Sequence, residues 1–216
     1  MKCWPFSQRR KKRDELNYWI RLSKQLTESC TTDLEREKAL FMVSWEKAFV
    51  RYKSDLYLRD DSFAGQRILD VGCGPHCGII GFRECEKYGV DHLVNDYRRI
   101  GYPLHKHGVR YINAKSEKMP FETQFFDVVI CVNALDHVDS LHGTISEIAR
   151  VLKKGGRFIG QFNFHDRPRR TEPLCLKHER LIMIGERCGL KLRRLQFQYN
   201  IAEMKEDRYY YEFEKA

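Results

Sequence analysis

The stretch that most constrains the fold lies between positions 68 and 78, where a short apolar strand runs into a glycine-rich turn. It reads Ile68-Leu69-Asp70-Val71-Gly72-Cys73-Gly74-Pro75-His76-Cys77-Gly78. Gly72 and Gly74 let the backbone turn sharply and approach a ligand where a Cβ atom would collide. Asp70 ends the strand with an acceptor aimed into the turn. A strand followed by such a loop is typical of open α/β sheets that bind nucleotides at the carboxyl ends of their strands.

The spacing of the glycines restricts the ligand. A dinucleotide-binding loop would read G-x-G-x-x-G, whereas Cys77 occupies the third glycine position here and Gly78 follows one residue later. Pro75 also lacks the N–H group that a pyrophosphate would use. The loop therefore favours an adenosine ligand without a diphosphate.

The segment from Asp70 to Pro75 resembles motif I of the class I S-adenosylmethionine-dependent methyltransferases, whose loop wraps the amino-acid end of the cofactor. The resemblance implies S-adenosyl-L-methionine as the cofactor, with contacts from Asp70, Gly72, Cys73 and Gly74. It also implies an α/β fold with a seven-stranded, mostly parallel sheet, an antiparallel last strand and helices on both faces. An N-terminal helical appendage would precede this domain.

A second match to the family follows motif I by about twenty residues, at Gly89-Val90-Asp91. An ionised Asp91 offers acceptor oxygens to both ribose hydroxyls at once. Its neighbour His92 is included in the expected cofactor site. Asp96 competes for the same role, and Asp91 could instead cap the helix that follows.

The third match runs from Ala114 to Phe121 and is partial. Lys115 stands where relatives carry an aspartate for the adenine amino group, and a lysine cannot accept a hydrogen bond. We therefore expect adenine recognition by backbone groups near Ser116, or by Glu117.

The fourth match, from Phe126 to Val138, resembles the fourth strand of the family and the loop after it. Asn133 is expected at the rim of the cofactor or acceptor site. His137 is the candidate general base, since it follows the strand at the carboxyl edge of the sheet and imidazole titrates near neutrality. Alternatively, His137 caps or packs against the next helix.

The residues after the fourth strand also bear on the acceptor. Relatives that methylate the exocyclic amines of nucleobases carry Asn/Asp-Pro-Pro-Tyr/Phe, whereas this chain reads Asn133-Ala134-Leu135-Asp136. This difference disfavours that route and leaves O-, N- or C-methylation of a small molecule.

Hydrophobic periodicity predicts the remaining elements. Two helices are expected between Asp14 and Leu58, the second starting at a capping box formed by Thr32 and Glu35. The other expected elements are a helix over Ile145 to Leu152, a turn over Lys153 to Gly156, a strand over Arg157 to Phe164, a helix over Leu176 to Cys188, and strands over Leu190 to Tyr199 and Asp207 to Phe213. The last two strands leave no room for a crossover helix, so they should be antiparallel.

Composition sets the domain organisation. A chain of 216 residues with 42% hydrophobic residues suits one core domain over residues 61–216 and a helical cap over residues 1–60. No apolar run is long enough to cross a membrane and no apolar signal segment begins the chain, so a cytoplasmic protein is expected. The eight cysteines form no C-x-x-C pair, and His105 and His107 have no ligand partners at metal spacing. No metal is expected.

The net charge of +9 is concentrated in three blocks: Arg9 to Arg13, Arg167 to Arg170, and Arg193-Arg194. The second block follows the fifth strand, where it would suit an anionic small-molecule acceptor. Together the blocks keep an RNA-modifying methyltransferase open as the alternative. The first block could equally be a solvated terminus ahead of a helix.

A nicotinamide-dependent reductase is a third class to consider. Tyr102 and Lys106 have the Tyr/Lys spacing of short-chain dehydrogenases, but Pro103 breaks the helical turn that the pair needs.

Overall fold

Seven strands form one sheet in the computed structural model, which describes residues 8–201 and 206–216. The strands are β1 Arg67–Val71, β2 Glu86–Asp91, β3 Arg110–Asn113, β4 Phe126–Val132, β5 Leu152–Phe164, β6 Leu190–Ile201 and β7 Glu206–Lys215. Their order is β3-β2-β1-β4-β5-β7-β6. Neighbours among β1 to β5 are parallel, and β7 is antiparallel to both β5 and β6. The predicted sheet and its reversed last strand are confirmed.

Helices cover both faces of this sheet. They are α1 Gln8–Leu26, α2 Asp33–Val43, α3 Val50–Asp55, α4 Val94–Arg99, α5 Leu141–Val151 and α6 His178–Arg187, with a π-helical segment Ser44–Phe49 joining α2 to α3 and a short 3₁₀ turn at Leu104–Lys106. Successive residues of a strand point to opposite faces. Leu69 therefore packs with α5 and α6, whereas Ile68 packs with the π-helical segment and α3. Burial on both faces explains why β1 and β4 are nearly continuous apolar runs.

The N-terminal helices pack against α4 at one side of the sheet. Trp19 of α1 and Leu40 of α2 contact the cluster that contains Val94 and Tyr97. The capping box at the start of α2 is confirmed, with Thr32 accepting from the Glu35 N–H and Glu35 accepting from the Thr32 N–H. The domain boundary at residue 60 stays a prediction.

Two local expectations need correction. The basic block Arg9 to Arg13 lies inside α1 and does not form a terminus ahead of the helix. Helix α5 ends at Val151, and the residues predicted as a turn already belong to β5. Leu152 pairs with Phe126, the register then shifts, and pairing resumes at Arg157. The predicted turn residues thus form an irregular, bulged stretch inside β5 between two paired positions, with Gly155 at a φ of +71°.

Two further predictions concern membrane-spanning segments and cysteine pairing. None of the described helices combines the length and apolarity needed to cross a membrane. The seven cysteines within the described ranges are unpaired, and Cys3 lies outside the described residues.

Candidate functional site

The predicted site residues gather at the carboxyl edge of the parallel strands. Strands β1 to β5 all end there, so the segments that follow them are neighbours in space although they are far apart in sequence. Helix α1 lies across this edge through Glu15, which contacts residues after β2 and β4. The site is therefore built from five loops and one helix.

Asp70 is completely buried at the end of β1. Its carboxylate accepts hydrogen bonds from the Tyr52 hydroxyl, at 3.2 and 3.3 Å, and from the Cys77 thiol at 3.5 Å. Burial raises the pKa of Asp70 to about 7, although these hydrogen bonds act in the opposite direction. Asp70 holds motif I against the π-helical segment and α3, and its contact with a cofactor stays a prediction.

The two glycines of motif I sit where no other residue fits well. Gly72 has a φ of +69°, and a Cβ atom on it would lie 2.4 Å from the Cβ of Ala134. Gly74 has a φ of +57° and faces the ring of Trp19. Cys73 between them is buried, and burial raises the pKa of its thiol well above the usual range. Its side chain packs in the core, so only its backbone is available to a ligand.

Asp91 lies beside motif I, as predicted. Its Oδ2 accepts the Gly74 N–H at 3.1 Å, and its Oδ1 accepts the Leu93 N–H at 2.8 Å at the start of α4. Asp91 thus orders the turn before α4, but it does not cap this helix, whose N-cap is Leu93 without a side-chain cap hydrogen bond. Burial raises the pKa of Asp91, partly offset by the nearby His92 and by these two N–H groups.

The competing Asp96 is placed differently. Its carboxylate pairs with Lys12 at 3.0 Å and with Arg99 at 3.1 Å. Of the two acids, Asp91 therefore has the geometry expected at the cofactor loop. His92, also predicted at the cofactor site, instead contacts Glu15 through Nε2 at 3.0 Å.

Ser116 and Glu117 lie next to α5. The Ser116 hydroxyl is 3.0 Å from the Thr144 hydroxyl, and Glu117 Oε1 accepts the backbone N–H groups of Asp139 and Ser140. Lys115 pairs with Asp139 at 2.7 Å. Glu117 therefore anchors the loop before α5, and adenine recognition at this position stays a prediction.

Asn133 directly follows β4 with a left-handed backbone, at a φ of +51°. Its N–H donates to the Gln161 carbonyl at 2.8 Å, which fixes the residue against β5. Its side-chain Oδ1 is buried and has no hydrogen-bond partner among the described residues. A buried acceptor without a donor is costly, which marks Oδ1 as a position for a ligand donor.

His137 contacts α1 through its Nδ1 atom, 3.3 Å from Oε1 of Glu15. Burial would lower the pKa of His137, but the Glu15 hydrogen bond and the charges of Asp136 and Glu172 raise it above its usual value. Glu15 is itself buried, which would raise its pKa. Hydrogen bonds from His137 and His92 outweigh burial and hold the pKa of Glu15 at about 2. Sequence reasoning missed Glu15 because a lone acid in a charged helix carries no signal.

Three further residues of the site were also missed: Asp136, His165 and Glu172. His137 Nε2 lies 3.8 Å from Asp136 and 3.9 Å from Glu172, and His165 Nε2 lies 3.8 Å from each of the same two carboxylates. The signal that could have revealed Asp136 was its position beside His137 after β4. No spacing links it to His165 and Glu172, which lie in the segment after β5.

Much of the basic block after β5 is neutralised by acids. Arg169 pairs with Glu172 and Glu206, and Arg170 pairs with Asp14 at 2.7 Å. In the first block, Lys12 pairs with Asp96. These ion pairs reduce the positive potential that a polyanion would meet.

A cavity of about 870 Å³ lies between α1, α2 and the segment around residues 98–105. Apolar side chains such as Leu40 and Tyr102 line it, together with charged residues such as Arg36. None of the predicted cofactor residues lines it. The cavity therefore lies away from the motifs at the carboxyl edge.

The strand order, the reversed β7 and a glycine loop after β1 define the class I methyltransferase fold. A family model described as a methyltransferase domain matches residues 69–160. Residues 69–160 therefore match a methyltransferase domain, in agreement with the resemblance of motif I to the class I S-adenosylmethionine-dependent methyltransferases.

Curated relatives match over the same region. Sterol 24-C-methyltransferase of Gibberella zeae is 35% identical over 124 residues, which cover 53% of this chain and 32% of that enzyme. The chain thus matches well under half the length of that relative, so the match concerns the domain and not the whole enzyme.

Solved structures extend the likeness to most of the chain. Geranyl diphosphate C-methyltransferase from Streptomyces coelicolor has a TM-score of 0.61 at 14% identity and covers 84% of both chains. The [4+2]-cyclase SpnF has a TM-score of 0.61 at 16% identity, covering 84% of this chain and 82% of the cyclase. At such identities the likeness concerns the fold alone, and this fold supports more than one reaction.

Proposed function

We propose that this protein transfers the methyl group of S-adenosyl-L-methionine to a small-molecule acceptor with an oxygen, nitrogen or carbon nucleophile. The observation that carries the proposal is the buried, unpartnered Oδ1 of Asn133 at the end of β4, beside the loop of Gly72. The amino group of the cofactor is a strong donor, and it would satisfy this acceptor. The cofactor's amino-acid end would then lie along Gly72 and Gly74.

The other proposed cofactor contacts follow from position. Asp91 would accept from the ribose hydroxyls at the lone pairs that Gly74 and Leu93 leave open, and backbone groups near Ser116 would face the adenine. Asp70, Cys73, His92 and Glu117 would support this site through the contacts described above.

Methyl transfer depends mainly on the alignment of the acceptor with the methyl donor. S-adenosylmethionine supplies a methyl group that is already activated on a sulfonium, so the chain has to place the acceptor in line with the S–CH₃ bond and exclude water. In this proposal the acceptor lies between motif I and His137, under α1. His137, the predicted general base, would contact the acceptor on that side.

The ion pairs of Lys12, Arg169 and Arg170 favour a small acceptor over RNA, the alternative drawn from the sequence. Relatives named for sterol and for geranyl diphosphate methylation make a sterol and geranyl diphosphate the first acceptors to test. The expected cytoplasmic location stays a prediction.

Calorimetry with S-adenosylhomocysteine tests the cofactor site. Wild-type protein should bind it, and Asp91→Asn should weaken binding at least about tenfold, since one acceptor oxygen becomes a donor facing the ribose or Gly74. Asp96→Asn is the matched control and should bind as wild type. If only Asp96→Asn loses binding, the ribose contact belongs to Asp96 and not to Asp91. If wild-type protein does not bind S-adenosylhomocysteine, the proposal is refuted.

The Asn133→Gly variant tests whether Oδ1 of Asn133 binds the cofactor. Glycine retains the left-handed backbone while removing Oδ1, so the variant should fold but bind S-adenosylhomocysteine more weakly. Unchanged affinity would remove Asn133 from the site. Methyl transfer from labelled S-adenosylmethionine to geranyl diphosphate and to a sterol should then be measured with the same variants.

A further inference from the structure

Two histidines and two carboxylates meet at the carboxyl edge of β4 and β5. His137 Nε2 lies 3.8 Å from Asp136 Oδ1 and 3.9 Å from Glu172 Oε1, and His165 Nε2 lies 3.8 Å from Asp136 Oδ2 and from Glu172 Oε2. One ligand atom from each of Asp136, His137 and Glu172 lies within 4.8 Å of the others. These three side chains thus converge, and His165 lies on the other oxygens of the same two carboxylates.

These separations are too long for hydrogen bonds but close to the spacing of metal ligands. A hydrogen bond between nitrogen and oxygen has a distance of about 2.7–3.2 Å. Around a tetrahedral ion with bonds of about 2.0–2.2 Å, neighbouring ligand atoms lie about 3.3–3.6 Å apart. A small inward movement of the side chains would complete such a site.

The other nitrogen of each histidine is already held by an acceptor. His165 Nδ1 lies 2.8 Å from the Arg167 carbonyl, and His137 Nδ1 lies 3.3 Å from Glu15 Oε1. With an acceptor at each Nδ1, both Nδ1 atoms donate, and each Nε2 can bind an ion once it has released its proton. Metal-bound histidines have this arrangement, with the second nitrogen bonded to a carboxylate or a carbonyl.

Burial supplies independent support for a ligand. Asp136 is 2% exposed and His165 is 5% exposed. Asp136 Oδ1 and His165 Nε2 have no hydrogen-bond partner within the ranges that the structure describes. Two buried polar atoms of neighbouring side chains that lack partners call for a ligand at this cluster.

We propose that Asp136, His137, His165 and Glu172 bind a divalent first-row transition-metal ion, with Glu15 as the outer partner of His137. Two imidazole nitrogens and two carboxylate oxygens suit zinc, cobalt, iron or manganese better than magnesium or calcium, which prefer oxygen ligands throughout. No metal was expected from the sequence, because these residues lie in two segments far apart along the chain, one after β4 and one after β5.

The proposal assigns His137 a role different from that of a general base. A histidine whose Nε2 binds a metal has no lone pair for the acceptor's proton. The ion would instead lower the pKa of an acceptor hydroxyl that it coordinates, as a Lewis acid does. The proposal goes beyond methyl transfer, since metal binding is measured without a cofactor or an acceptor.

Cobalt(II) titration of chelator-treated full-length protein tests the site. We expect one Co²⁺ per chain with visible d–d absorption typical of nitrogen and oxygen ligands, displaced by Zn²⁺. His165→Gln and Glu172→Gln should each weaken binding at least about tenfold, and Glu15→Gln by about tenfold because an outer partner is lost. His142→Gln removes an exposed histidine outside the cluster and should bind Co²⁺ as wild type.

Absence of stoichiometric binding to wild type would overturn the proposal, and so would wild-type affinity in both His165→Gln and Glu172→Gln. Intense near-ultraviolet bands from a thiolate ligand would point to Cys175, whose Sγ lies 3.7 Å from His165 Nδ1, and would overturn the ligand set. The wild-type spectrum decides these points even if a variant fails to fold. S-adenosylhomocysteine binding by the chelator-treated protein separates the two proposals. If the protein binds S-adenosylhomocysteine but does not bind Co²⁺, only the metal site is refuted. If it binds Co²⁺ but not S-adenosylhomocysteine, only the cofactor site is refuted.

Discussion

The Tyr52 hydroxyl donates to both carboxylate oxygens of Asp70, at 3.2 and 3.3 Å, in a fully buried contact. It joins α3 to the end of β1, immediately before motif I. The Tyr52 ring also packs on Gly78, where a Cβ atom would lie 2.3 Å from it. One N-terminal side chain therefore supports both ends of the loop.

Tyr52→Phe should destabilise the protein by about 1–3 kcal/mol, because it leaves the buried Asp70 carboxyl with one donor fewer. Urea denaturation at neutral pH measures the change. Tyr18→Phe is the matched control, since Tyr18 is about half exposed, and it should have little effect. Equal stability of Tyr52→Phe and wild type would show that the contact contributes nothing.

Asp70→Asn should change the pH dependence of stability. The pKa of Asp70 rises from its usual value of 3.8 to about 7 on folding, mainly because of burial. Its contribution to stability is therefore complete below about pH 4 and is lost as the pH rises through 7. Asparagine does not titrate, so the variant should gain about 2 kcal/mol relative to wild type between pH 5 and pH 8. A constant difference between the two urea curves across this range would contradict the prediction.

Gly72→Ala should destabilise the protein by at least about 2 kcal/mol. The new Cβ atom would lie 2.4 Å from that of Ala134, and the φ of +69° disfavours an alanine. Ala134→Gly removes the collision but not the backbone strain. The double variant should therefore recover part of the loss in thermal unfolding, and full additivity of the two single changes would show that the atoms do not collide.

His107 should make the protein less stable in mild acid. Burial, followed by the charge of His105, lowers the pKa of His107 from 6.5 to about 4. The stabilising contribution of the neutral ring is present above about pH 6.5 and is lost as the pH falls towards 4. His107→Asn should flatten the stability profile between pH 7.5 and pH 5 by about 1–2 kcal/mol. The exposed His105, changed in the same way, serves as the comparison and should leave the slope in place.

Local signals in the sequence sufficed for much of the fold. The apolar runs of β1 and β4, the capping box of Thr32 and Glu35, and the short link before β7 each depend on neighbours along the chain. The residues at Lys153 to Gly156 show the limit of such signals. Their glycines indicate a turn, yet they form an unpaired irregularity within β5, between the pairs of Leu152 and Arg157 with β4.

The sequence by itself determined the glycine loop and the positions of most strands, because glycine conformations and apolar periodicity act over a few residues. Only the tertiary structure decided which acids and histidines meet. Parallel strands bring Asp136 and His137 after β4 to His165 and Glu172 after β5, and α1 adds Glu15. Such contacts depend on chain segments far apart in sequence, so no local spacing reveals them.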